Sequence, residues 1–277
     1  LKVVVTGASG FLGSYLTAEL ERREQTVLKW SRRPNPGCFV IELTRRELVE
    51  ESLATICPDA VIHLAAVSHI KSCREKPNLA RALNVAVSGA LARLALRYGF
   101  RLVHVSTEAV FGGSPKRLCE EDEPRPQHMY GEFKLEGEKE VAKGDRSAAI
   151  VRPSIITGEA LHGRISSTTW LFDQLRGGQR PKIITDEIRS PVAVTDVARC
   201  LADLIEMPNV SGVFHCGGSE EITRYDLACR EAEAAGFDPG DILPTTREEL
   251  GLAAERPAKL VLDSSRLTEV LGWTPRT

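Results

Sequence analysis

The chain has 277 residues, of which 42% are hydrophobic and 27% charged, and its formal net charge is −2. That is enough for one large globular core, or a core with a smaller lobe. The near-neutral charge removes any general case for nucleic-acid binding, and no apolar run is expected to reach the ~20 residues of a bilayer span.

Lys2-Val3-Val4-Val5-Thr6 is β-branched and long enough for one buried parallel strand. A first strand starting at residue 1 or 2 leaves no room for a signal peptide, so a cytoplasmic location is expected. Thr6-Gly7-Ala8-Ser9-Gly10-Phe11-Leu12-Gly13 then turns into a helix predicted over Phe11 to Glu21. Gly7 allows the tight turn, Gly10 lets backbone approach a pyrophosphate, and Gly13 lets the helix pack near the strand. Gly7, Ser9, Gly10, Phe11 and Leu12 are therefore the expected dinucleotide contacts, with the first helical N–H groups facing the anion.

The next strand is predicted over Thr26 to Trp30. An NAD site usually has an acidic residue at this tip. Here it reads Ser31-Arg32-Arg33, a hydroxyl and two guanidiniums suited to a 2′-phosphate, and the expected cofactor is NADP(H). Further strands are predicted over Ala60–Leu64, Leu102–Ser106, Ala148–Arg152 and Val213–Cys216. Helices are predicted over Leu79–Tyr98, Met129–Lys143, Thr168–Leu175 and Val194–Met207, and from the N-cap Thr223 to Ala235. The alternation through residue 152 argues for an α/β fold with a doubly wound parallel Rossmann sheet, residues 1–152. After Pro153 the pattern is less regular, so 153–277 is expected to be mainly a substrate-binding lobe, with some segments returning to the core.

Tyr130 and Lys134 are spaced to share one helical face. An ordinary phenol, with a pKa near ~10, exchanges protons poorly at neutral pH. A neighbouring ammonium and an oxidised nicotinamide would stabilise the phenolate, and Lys134 is also expected to hydrogen-bond the nicotinamide ribose, so Tyr130 and Lys134 count among the cofactor-binding residues as well. Thr107, or its neighbour Ser106, is placed at a strand end to hold a substrate oxygen beside that phenol. The cysteines at 38, 57, 73, 119, 200, 216 and 229 are odd in number and contain no C-x-x-C, which fits reduced thiols and no structural metal.

These motifs resemble the extended short-chain dehydrogenase/reductase superfamily, which carries T-G-x-x-G-x-x-G at its start and Y-x-x-x-K on a central helix. Within it, Ser106-Thr107-Glu108-Ala109-Val110-Phe111-Gly112, Tyr130-Gly131-Glu132-Phe133-Lys134-Leu135-Glu136-Gly137-Glu138 and the tail around Arg256-Pro257 are similar to the dTDP-4-dehydrorhamnose reductases. Arg152-Pro153-Ser154 and the segment from Arg189 to Ala198 are nearer to sugar-nucleotide epimerases. The resemblance implies a catalytic trio of Thr107, Tyr130 and Lys134, reducing a keto group of a nucleotide-linked sugar with NADPH. It further implies that Leu64, Ala65 and Ala66 lie along the cofactor and that Asn84 supports a proton-relay water. Glu108 would adjoin the substrate, and Arg189 and Arg256 would meet its phosphates. A homodimer through the two central helices is a further implication. Dehydratases of this type use an adjacent Asp-Glu pair, whereas this chain has Glu108-Ala109, so elimination ranks low. An epimerase and a non-catalytic NADP-binding regulatory subunit are the alternatives.

Overall fold

The computed structural model describes residues 1–161 and 165–277. Seven parallel strands form the central sheet, in the order Gly212–Cys216, Ala149–Pro153, Arg101–Val105, Ala60–His63, Lys2–Thr6, Thr26–Ser31, Phe39–Val40. The inner strands are apolar on both faces, as a sheet covered by helices on each side demands: Val3, Val4, Val5, Val61 and Ile62 are fully buried. Helices Phe11–Arg22 and Val194–Ile205 pack together over one face, through Leu16, Leu20, Leu201 and Leu204. Helices Arg46–Ile56 and Ser88–Tyr98 contribute Leu53, Leu91 and Leu94 to the other face, with Val141 from Met129–Gly144.

The chain winds outward from Lys2–Thr6 to Phe39–Val40, then returns to Ala60–His63 and winds the other way. The strand order thus reverses between Lys2–Thr6 and Ala60–His63, where a crevice opens at the carboxyl ends of the strands. Gly7 and Leu64 continue from those two strands, so the topology places the glycine turn at the crevice.

The predicted helices and strands of the core all form, with ends shifted by no more than two residues. Thr223 caps its helix, its hydroxyl accepting from the Asp226 N–H at 3.0 Å. The sequence reading lacked the edge strand Phe39–Val40 and the helix Arg46–Ile56. It also overlooked an apolar segment: the 22 residues Pro77–Tyr98 are helical, have a mean hydropathy of 1.4 and are long and apolar enough to cross a membrane. Here that helix lies against the Met129–Gly144 helix, and its residues Leu91, Ala92 and Leu94 are buried in the core.

Residues Ala82–Val87 within it form a π-helical turn. Asn84 sits there, fully buried, and clasps the backbone of Val67: its Oδ1 accepts from Val67 N–H at 2.9 Å and its Nδ2 donates to Val67 O at 3.0 Å. The Asn84 carbonyl accepts from the Ser88 hydroxyl at 3.0 Å.

Beyond Pro153 the chain builds a lobe of short strands. Ile222–Thr223 and Lys259–Leu260 flank Ile188–Arg189, and Leu243–Thr245 pairs with Lys182–Ile184. Leu171, Phe172, Ala228, Ala232 and Ile242 form its own small core.

Candidate functional site

A cleft of about 730 Å³ runs from the glycine turn to the start of the Met129–Gly144 helix. Its first end is backbone. Gly7 has φ +71°, and a Cβ there would lie 2.9 Å from the Ala65 nitrogen. A Cβ on Gly13 would come within 2.3 Å of the Gly7 carbonyl oxygen, so only glycine lets the helix start this close to the strand. Gly10 is the helix N-cap and offers no side-chain cap, which leaves first-turn N–H groups for an anion. Gly7, Ser9, Gly10, Phe11 and Leu12 all line the cleft, as do Ser31, Arg32, Leu64, Ala65 and Ala66. These residues fit a dinucleotide: a cradle that a Cβ would fill, at a helix N-terminus, beside a guanidinium.

Arg33 does not line the cleft. Its carbonyl accepts from the Ser31 hydroxyl at 2.5 Å, an arrangement that shapes the loop carrying Arg32. Asn84 does not line it either. It stands behind the wall, and its bonds to Val67 hold the segment that the cleft uses.

At the other end Thr107, Tyr130 and Lys134 share the cleft wall, with Val105 and Ser106 beside them. Thr107 caps the short 3-10 turn Glu108–Val110, its Oγ1 accepting from Ala109 N–H at 3.1 Å. The Tyr130 helix begins at the N-cap His128, whose Nδ1 accepts from Gly131 N–H at 3.1 Å. Burial pushes the Tyr130 phenol up to about 12, and the Thr107 hydroxyl acts in the opposite direction. The anticipated lowering of this phenol by Lys134 is not what the chain by itself displays. The Lys134 ammonium instead donates to the Val105 carbonyl at 2.7 Å and lies 3.4 Å from His104 Nε2. Burial lowers Lys134 to about 8, against the opposing charge of Glu138.

Three residues expected at the substrate do not line this cleft. Glu108 is buried behind Ser154, its Oε2 accepting from the Ser154 hydroxyl at 2.5 Å. Burial raises its carboxyl to about 7, although Arg189 and Ser154 pull it down. Arg189 is only 4% exposed. Its guanidinium lies 3.4 Å from Glu108 and 3.4 Å from Glu187, and donates to the carbonyls of Ile188 at 2.8 Å and Pro257 at 3.0 Å. Arg256 lies 3.3 Å from Glu187. Neither arginine lines the cleft, so these ions cross-link the lobe to the turn after Thr107. Ser154 does line the cleft and joins it to that cluster.

Sequence reasoning missed Ile41, Glu42, Leu43 and Thr44, which border the cleft near Arg32, and His69, Ser72, Lys76, Leu79 and Leu83 on its far wall. The signal for the first group was the short apolar run Phe39-Val40-Ile41. The second group carries no motif. Among the described residues, no group of three or more His, Cys, Asp or Glu side chains is arranged to hold a metal ion.

The chain is 33% identical over 282 residues to methionine adenosyltransferase 2 subunit beta of Mus musculus, covering 100% of this chain and 84% of that protein. It is 30% identical over 280 residues to a probable low-salt glycan biosynthesis reductase of Haloferax volcanii, covering 99% and 93% of the two chains. Among solved structures, dTDP-4-dehydrorhamnose reductase from Bacillus anthracis in complex with NADP superposes with a TM-score of 0.90 at 25% identity, over 100% of this chain and 95% of that one. The model of the RmlD substrate binding domain matches residues 1–277, and the chain belongs to that family, within the extended short-chain dehydrogenases/reductases.

Proposed function

We propose that this protein is an NADPH-dependent reductase of a keto group on a nucleotide-linked sugar. The observation that carries the reading is one cleft with the glycine turn at one end and Thr107, Tyr130 and Lys134 at the other. The similarity to the NADP complex of a dTDP-4-dehydrorhamnose reductase supports it.

When bound, the nicotinamide supplies the hydride. The turn around Gly7 and Gly10 holds the pyrophosphate against the helix N-terminus. Arg32, in the cleft wall, receives a 2′-phosphate. Thr107 orients the carbonyl oxygen toward the Tyr130 phenol. Tyr130 delivers its proton to that oxygen as the carbonyl carbon is reduced to the alcohol. A phenol held near 12 is fully protonated at neutral pH, the form an acid needs in this direction. Lys134, on the same cleft wall, supplies a cation that would offset the phenolate that forms.

The test is NADPH consumption against a panel of 4-keto sugar nucleotides and simple ketones, with NADH in parallel. Turnover of one keto-sugar nucleotide with NADPH preferred is the expected result.

One observation favours a second reading. The whole chain matches beta subunits of methionine adenosyltransferase 2. A protein that binds NADPH tightly, reduces nothing in the panel and changes the activity of a catalytic partner would be a regulatory subunit.

A further inference from the structure

Beneath the cleft, two histidines lie side by side in the sheet. His63 and His104 are register partners on adjacent strands, 1% and 0% exposed, with ring centroids 5.4 Å apart. Nothing in the proposed reaction uses them. Buried polar atoms normally find partners, yet among the described residues Nε2 of His63 and Nδ1 of His104 have none. Their other nitrogens reach the two ends of the site. His63 Nδ1 is 2.7 Å from the Thr6 hydroxyl, which also accepts from the Ala65 N–H of the cleft wall. His104 Nε2 is 3.4 Å from Lys134 Nζ.

An ammonium has three donors and no acceptor. One Lys134 donor goes to the Val105 carbonyl and a second faces His104 Nε2. The third is left for the cleft, which Lys134 lines. Because the ammonium only donates, Nε2 must be the acceptor and the His104 proton must sit on Nδ1. Both imidazoles are held neutral: burial and Lys134 lower His63 to about 3, and burial, Lys134 and His63 lower His104 well below the usual imidazole range. Glu138, one turn along the helix, is the facing carboxylate, and Arg152 already binds it at 2.9 and 2.7 Å. Tyr130, one turn before, is a neutral phenol. His104 is therefore the side-chain acceptor for this ammonium.

We propose that His104 is a positioning residue for Lys134: as a neutral Nδ1–H tautomer, it joins the Val105 carbonyl in aiming the third ammonium proton into the cleft. This rests on the reductase reading for its purpose, since that proton would meet the nicotinamide ribose.

The test begins on the cofactor-free wild-type protein. Imidazole nitrogen NMR should find His104 neutral and protonated on Nδ1. An Nε2–H tautomer overturns the proposal. Lysine ε-carbon NMR then follows Lys134 in wild type, His104→Leu and His104→Gln. Loss of a hydrogen bond to the ammonium should move Lys134 in the leucine variant down by about one pKa unit. Glutamine, which retains an acceptor, should restore it. An unchanged Lys134 in the leucine variant overturns the proposal. If the leucine variant does not fold, the wild-type tautomer alone decides.

NADPH affinity gives an independent readout. It should fall as pH rises through the Lys134 pKa, with the midpoint lower in His104→Leu and recovered in His104→Gln. Confirmed tautomer and shifts in a protein that never oxidises NADPH would sink the reductase reading and leave the positioning role intact. Turnover of a keto sugar with His104 protonated on Nε2 would do the reverse.

Discussion

Gly131 faces the Ala109 carbonyl so closely that a Cβ on it would stand 2.1 Å from that oxygen. The contact joins the start of the Tyr130 helix to the turn that carries Thr107. A missing methyl group is thus what lets phenol and hydroxyl share one wall.

Gly131→Ala should therefore act on geometry before chemistry. Backbone must move, because the nearest atom is a carbonyl and not a flexible side chain. Overpacking of this kind costs roughly 1–3 kcal/mol. Urea denaturation should read that loss, and turnover should fall with it. Wild-type stability in the variant would mean that the helix can shift freely.

Tyr130→Phe tests the chemistry with little change of shape. Removing a general acid should lower kcat by about 100-fold or more. NADPH affinity should stay within about threefold, since the pyrophosphate cradle lies at the other end of the cleft. Equal activity of the two proteins would remove the phenol from the mechanism.

The parts of the site visible in the sequence are those where chemistry fixes residue type at a backbone position. The Gly7 turn and the Tyr130–Lys134 spacing are local, and they survive folding unchanged. The ion cluster around Arg189 was only half visible, because Glu187 is a near neighbour in sequence while Glu108 comes from 81 residues earlier in the chain. Ile41 to Thr44 escaped notice for a different reason. The strand before them has only two residues, Phe39 59% and Val40 53% exposed, too short and open to register as apolar periodicity. The helix Arg46–Ile56 buries only Val49 and Leu53 and its N-cap, Arg45, makes no side-chain cap bond, so both its apolar stripe and its start signal are weak. The His63–His104 pair is legible only after the strands are set in register.

Glu108 makes stability depend on pH. Burial raises its carboxyl from 4.5 to about 7, so the folded chain holds a proton that the unfolded chain has released. Its stabilising contribution is complete below pH 4.5 and is lost as pH rises through about 7. Glu108→Gln removes this titration and retains an acceptor for the Ser154 hydroxyl. The stability difference, wild type minus variant, should fall across that window in urea titrations at stepped pH. Parallel curves would show that Arg189 holds Glu108 ionised throughout.

Arg32 and Arg33 look equivalent in the sequence but are not equivalent in space. Arg32 lines the cleft beside Ser31, while Arg33 contributes its backbone carbonyl to the same loop. Among the described residues no carboxylate lies within 4.0 Å of the Arg32 guanidinium, which leaves it available to an incoming phosphate. A charge-assisted contact of that kind contributes about 1.5–3 kcal/mol, or roughly 10- to 100-fold in affinity. Arg32→Ala should lower NADPH affinity by that factor and leave NADH binding unchanged, since NADH has no 2′-phosphate. Arg33→Ala should change neither by more than about threefold. Parallel fluorescence titrations of the two variants with both cofactors check this. Equal losses for NADPH and NADH in Arg32→Ala would point to a general electrostatic effect and would place the recognition of the 2′-phosphate elsewhere.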